Sequence, residues 1–136
     1  CQVLMQRLDE DLLALLHAVA TGALAGRNRP AFSPDPALTV VMAANGYPGT
    51  PEKGGAIDGI AGAEATGASV FHAGTAERAG RLVAAGGRVL AVTAAGASVA
   101  EAQAAAYRAV DAITFPTGFC RRDIGWREVA RERQGA

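Results

Sequence analysis

Lysine is almost absent from this sequence. Lys53 is the single lysine among 13 basic residues, and the other twelve are arginine. The 13 acidic residues cancel them to a net charge of +0. No basic footprint remains of the kind that contacts to a phosphate backbone require, which excludes a nucleic-acid binder on composition. Aromatic residues are scarce at 5%. The two cysteines, Cys1 and Cys120, form no CxxC pair and have no histidine beside them, which argues against a zinc site or a disulfide framework. No stretch approaches the roughly 20 apolar residues that a membrane span needs. No signal-peptide pattern is visible, so no membrane partner is expected and a cytoplasmic location is the expectation.

What is present is mostly alanine. Hydrophobic residues make up 50% of the 136 residues, but 32 of them are alanine, and Leu, Ile, Val and Phe together number only 29. A chain of this length fits one domain with a thin core, one that a neighbouring domain would help to cover. The first residue is Cys1 rather than methionine, and the chain is expected to be a piece of a longer protein.

Leu8, Leu12, Leu15, Leu16 and Val19 recur at helical spacing and predict a helix over 6–22, with Asp9, Glu10 and Asp11 in its first turn. The stretch 26–36 holds Pro30, Pro34 and Pro36 and reads as a surface connector. An apolar run predicts a strand over 39–44, and a second strand is expected over 69–72. Between them, 45–67 is too rich in glycine for a regular element and reads as a long, mobile loop. Gly86-Gly87, flanked by 81–85 and 88–94, suggests a hairpin. Ser98 and Glu101 have the spacing of a capping box and open a helix over 98–111. Residues 113–115 are a further strand candidate, and the polar tail is expected to fray. These elements predict an α+β fold with a mainly antiparallel sheet and two principal helices.

Three segments could carry chemistry. Gly46, Tyr47 and Pro48 lead to Lys53 and Gly54. Glycine-rich backbone with an ammonium can cradle an anion, though the order is not that of a P-loop. His72, with Thr75 close behind, could supply a proton or bind phosphate, or simply satisfy a hydrogen bond. Arg121 and Arg122 offer forked donors suited to phosphate or carboxylate, or a surface ion pair with Asp123. No nucleophile stands at a recognisable spacing from a base, so no catalytic residue is assigned, and no metal ligands are assigned.

Several motifs in order carry a resemblance. Cys1-Gln2 and Arg7-Leu8-Asp9 come first, then Gly46-Tyr47-Pro48-Gly49 and Glu52-Lys53-Gly54. Val70-Phe71-His72-Ala73-Gly74-Thr75, Gly86-Gly87-Arg88-Val89-Leu90 and Arg121-Arg122-Asp123-Ile124-Gly125 follow. Together they resemble the C-terminal domain of phosphoribosylamine–glycine ligases. The chain departs from that pattern at Pro51, where an aromatic is usual, at Cys120, where a tyrosine is usual, and near Phe32, where a tryptophan is usual. The resemblance implies an ATP-grasp ligase that joins phosphoribosylamine to glycine in purine synthesis, using ATP and Mg²⁺ (or Mn²⁺). It implies that residues 1–36 end the ATP-grasp region, that 37–136 form the C-terminal domain, and that the rest of the ligase is the partner. It also implies that the ATP clamp and metal ligands precede Cys1, so this piece needs no cofactor of its own and is inactive alone. In that reading Arg121, Arg122, Lys53 and Gly54 bind the sugar phosphate. Gly46, Tyr47, Pro48, His72 and Thr75 then border the substrate site. The competing reading is a free-standing, non-enzymatic binding or association module.

Overall fold

A computed structural model describes residues 1–135. Four antiparallel strands make the main sheet, in the order β2 (Ser69–His72), β5 (Arg88–Ala95), β1 (Ala37–Ala44), β6 (Gly118–Cys120). Helix α4 (Val99–Ala112) covers one face. Leu38, Val40, Met42 and Ala44 of β1 join Leu90, Val92 and Ala94 of β5 and Val70 of β2 in one buried cluster. Alternate residues share a face of a strand, so this set turns together toward Ala102, Ala106, Ala109 and Val110 of α4. The alanine excess finds its use here. Small residues on the inner helix face let α4 lie close to the sheet. The fold is α+β with a mainly antiparallel sheet, as the order of strands and helices predicts.

The Ser98 half of the capping box at α4 holds, and Glu101 reaches back to Ala97 rather than to Ser98. Ser98 Oγ accepts from Glu101 N at 3.2 Å, and the Glu101 carboxylate accepts from Ala97 N at 3.0 Å. A second carboxylate joins them. Glu132, on α5 (Trp126–Gln134), accepts from Val99 N at 2.8 Å and Ala100 N at 3.0 Å. The tail therefore does not fray where expected. Its helix docks through buried Val129 and ties down the free N–H groups of α4.

Four other expectations are corrected. The helix over 6–22 is two helices, α1 (Gln2–Arg7) and α2 (Leu12–Ala20). Asp11 is the N-cap of α2, accepting from Leu13 N and Ala14 N, rather than a first-turn residue. The break is held from outside: Asp9 N donates to Ala31 O and Ser33 N to Arg7 O. The Gly86-Gly87 hairpin is absent. Strand β4 (Arg81–Ala84) pairs with β3 (Thr75–Arg78), a polar strand the sequence hid, and the turn lies at Ala79-Gly80. Both turn residues have positive φ, 49° and 72°, as a type I′ turn demands. Residues 113–115 form no strand, only a bridge between Thr114 and Asp58. Finally, 45–67 is tethered rather than loose. It contains the short helix α3 (Ile60–Glu64), and Gly54 N, Ile57 N and Asp58 N each donate to carbonyls of β4 or of Thr114.

Candidate functional site

Three chain segments meet at one end of the main sheet. Strand β1 runs into Asn45, β5 starts at Arg88 just after Gly87, and β6 starts at Gly118 just after Thr117. Backbone bonds lock them together: Ala44 N donates to Gly87 O at 2.8 Å, Asn45 N to Thr117 O at 2.9 Å, and Tyr47 N to Ala44 O at 3.1 Å. Gly46 turns the chain at a φ of 85°, and the Tyr47–Pro48 bond is cis. The Tyr47 ring then lies on Gly87 so closely that a Cβ there would come within 2.5 Å of it. Gly87 is glycine because the ring needs its space.

Tyr47 divides two cavities. One, of about 600 Å³, is lined by Gln2, Val41, Ala73, Gly74, Arg88 and their neighbours on β5. The other, of about 200 Å³, is lined by Thr39, Val41, Phe119, Cys120, Arg121 and Ile124. Tyr47 and Val41 belong to both linings.

The turn after β6 is held by a ridge on α4. Gln103, Tyr107 and Asp111 stand four residues apart and share one helix face. Gln103 Nε2 donates to Ile124 O at 2.6 Å. The Tyr107 hydroxyl donates to Arg121 O at 2.8 Å and accepts from Ile124 N at 3.0 Å. Asp111 accepts from Arg122 at 2.6 Å, and the Arg122 guanidinium also lies 5.6 Å from the Tyr107 ring centre. Arg121 forks onto both oxygens of Asp123, at 2.8 and 2.6 Å. Both guanidinium groups are thus engaged by carboxylates, and both remain largely exposed to water.

The remaining expected site residues are spread out. Gly54 N–H is taken by Ala84 O at 2.7 Å, and Gly54 and Lys53 lie outside the lining of both cavities. His72 Nδ1 and Thr75 Oγ1 lie 3.0 Å apart, bracketing Ala73 and Gly74, which do line the larger cavity. Arg88 and the α4 ridge escaped the sequence reading. The ridge was legible in principle, because polar residues at i, i+4 and i+8 interrupt an alanine-rich helix. Among the described residues, no group of three or more His, Cys, Asp or Glu side chains could hold a metal ion, and no helix is long and apolar enough to cross a membrane.

The charges set a pH response. The hydrogen bond from Arg121 holds the Asp123 carboxyl below the 3.8 of a free aspartate, while burial pushes the Cys120 thiol up against the opposing pull of Arg122. A depressed carboxyl favours the folded pair above the ordinary aspartate range, and that preference is lost as pH falls through the lowered folded value. The Arg121–Asp123 pair is therefore expected to survive at pH 4 and to open at lower pH. Carboxyl-carbon NMR of Asp123 checks this, and a midpoint at or above the free value would contradict it.

An antiparallel α+β domain of this topology matches the fold of a ligase C domain. A family profile described as "Phosphoribosylglycinamide synthetase, C domain" matches residues 37–127, and the chain belongs to that family. It is 61% identical over 98% of its length to the phosphoribosylamine–glycine ligase of Mesorhizobium japonicum, covering 31% of that protein. It is 51% identical over 100% of its length to the chloroplastic enzyme of Arabidopsis thaliana, covering 26%. The crystal structure of the Thermotoga maritima phosphoribosylamine–glycine ligase superposes with a TM-score of 0.64 at 36% identity, over 80% of this chain and 27% of that one. The chain thus spans about a third of the length of the curated relatives it matches.

Proposed function

We propose that this domain closes one wall of the substrate site in a phosphoribosylamine–glycine ligase, an enzyme that forms glycinamide ribonucleotide from phosphoribosylamine, glycine and ATP. What carries the reading is the 61% identity to such a ligase along 98% of this chain. Residues 1–36 are assigned to the end of the ATP-grasp region and 37–136 to the C-terminal domain. Arg121 and Arg122 are the residues proposed to take the sugar phosphate, with Lys53 and Gly54 secondary. The 46–48 turn, His72 and Thr75 border the same site.

Among the described residues, no group of side chains fits a metal centre. ATP and Mg²⁺ (or Mn²⁺) are accordingly assigned to the rest of the ligase, and no step is derived through them. Phosphoryl transfer is a matter of positioning and charge neutralisation, so a domain without those parts is inactive by itself. The chain alone is expected to release no ADP above a mock preparation when given ATP, glycine and phosphoribosylamine. The full-length ligase containing this domain is expected to do so only when all three substrates are present. Turnover by the isolated chain, or a full-length enzyme indifferent to glycine, would overturn the reading.

A further inference from the structure

We propose that the cavity bearing Arg88 is a carboxylate subsite that takes the carboxylate of the amino-acid substrate, glycine; this rests on the ligase reading above. Three observations carry it. Arg88 is exposed in the larger of the two cavities beside Tyr47 and has no ion pair or side-chain hydrogen bond among the described residues, unlike Arg121 and Arg122. Among the described residues, no acidic side chain lines that cavity beside the Arg88 guanidinium.

The root of Arg88 is fixed on both sides. Its carbonyl accepts from Gly74 N at 2.9 Å, and its Cα is paired with Ala43 just past the point where the β1–β5 register slips. A Cβ on Gly74 would come within 2.6 Å of the Arg88 carbonyl oxygen and 2.8 Å of Gly86 Cα. The backbones approach this closely only because both positions are glycine, and the approach fixes where the guanidinium emerges.

The ligand class follows from charge and shape. A single planar fork matches the two oxygens of one carboxylate. A phosphate dianion is better served by more than one guanidinium group, as the consecutive residues Arg121 and Arg122 can offer. The Tyr47 ring is a wall common to both cavities. An amino acid held by its carboxylate on the Arg88 side would therefore lie next to a sugar phosphate held on the other.

Steady-state kinetics of the full-length ligase tests this. Arg88→Gln is expected to raise the apparent KM for glycine by about tenfold or more, the loss typical of a charged hydrogen bond, with those for phosphoribosylamine and ATP within about twofold. Arg88→Lys keeps the charge without the fork and is expected to stay nearer Arg88→Gln than the parent. An unchanged glycine KM in a variant that melts like the parent overturns the proposal. So does an increase confined to phosphoribosylamine or ATP, which would make the cavity a phosphate site. Should both variants fail to fold, the parent enzyme decides. Phenylglyoxal labelling of Arg88 in that enzyme, read by peptide mass spectrometry, is expected to be slowed by saturating glycine and not by glycinamide, which lacks the carboxylate, and equal labelling with and without glycine overturns the assignment. A ligase that is active yet indifferent to Arg88 loses only this subsite, whereas an enzyme making no product from the three substrates loses the ligase reading itself.

Discussion

Replacing Leu90 with alanine is expected to lower the unfolding free energy by about 2–5 kcal/mol, the range for removing a fully buried leucine side chain. Leu90 is 0% exposed and lies on the central strand β5, opposite His72 of β2 on one side and Met42 of β1 on the other. The hydrogen-bonded ladders on both flanks stop the strand from moving inward to fill the space. The helix above offers Ala102, Ala106 and Ala109, and alanine has no rotamer with which to fill a hole. The cavity term should therefore persist, placing the loss in the upper part of that range. Single domains have only about 5–15 kcal/mol in total, so a large share of the stability is at stake. Leu13, 75% exposed on α2, is the matched control, and its change to alanine should stay within about 0.5 kcal/mol. Urea unfolding separates the two through the midpoint at constant slope. A midpoint for Leu90→Ala equal to that of the control would show that the sheet is not the centre of stability.

The elements that the sequence disclosed are those rich in buried apolar residues. Strands β1, β2 and β5 are short apolar runs, β5 being buried at six successive residues, and α4 opens on Ser98, so apolar runs and capping found all four within two residues. The hidden elements lack that signal. Strand β3 reads Thr-Ala-Glu-Arg and pairs with one neighbour only. Helix α5 has a single buried residue, Val129, and is held by a carboxylate bond to another helix. Helix α3 is five residues long and begins after Gly59, whose Cβ would come within 2.3 Å of the Ala112 carbonyl oxygen. Glycine was also the source of the hairpin error. At Gly74, Gly86 and Gly87 it permits close approach between chain segments, and a local reading cannot tell that use from a turn.

The site was legible in its parts rather than in its arrangement. Arg121 and Arg122 stood out as a pair, and the Gly46 turn as a turn. That Tyr47 would fold back over Gly87 and separate Arg88 from Arg121 is a matter of sheet order, with β1 between β5 and β6. No spacing in the sequence encodes that neighbourhood. The α4 ridge was missed because Gln103, Tyr107 and Asp111 each read as an ordinary exposed helix residue until the turn they hold is present.

Arg121→Ala or Arg122→Ala in the full-length ligase is expected to raise the apparent KM for phosphoribosylamine by about 10- to 150-fold and to leave that for ATP nearly unchanged. The magnitude is that of one hydrogen bond to a charged group, roughly 1.5–3 kcal/mol. Both forks are occupied by carboxylates, Arg121 by Asp123 and Arg122 by Asp111, so an incoming phosphate must share or displace them. These pairs are exposed, and exposed pairs contribute little, less than a phosphate contact would offer, so the exchange is expected to be favourable. The α4 ridge makes it inexpensive in a second sense, because Tyr107 and Gln103 hold the backbone of the turn whether or not the carboxylates keep their arginines. Lysine in either position should rescue poorly, since it offers a point charge in place of a fork. If the arginines serve only to brace the turn, the same variants should lose a little stability and no substrate affinity. Thermal melts and kinetics on the same preparations distinguish the two outcomes. Unchanged phosphoribosylamine kinetics in both alanine variants would remove these arginines from the substrate site.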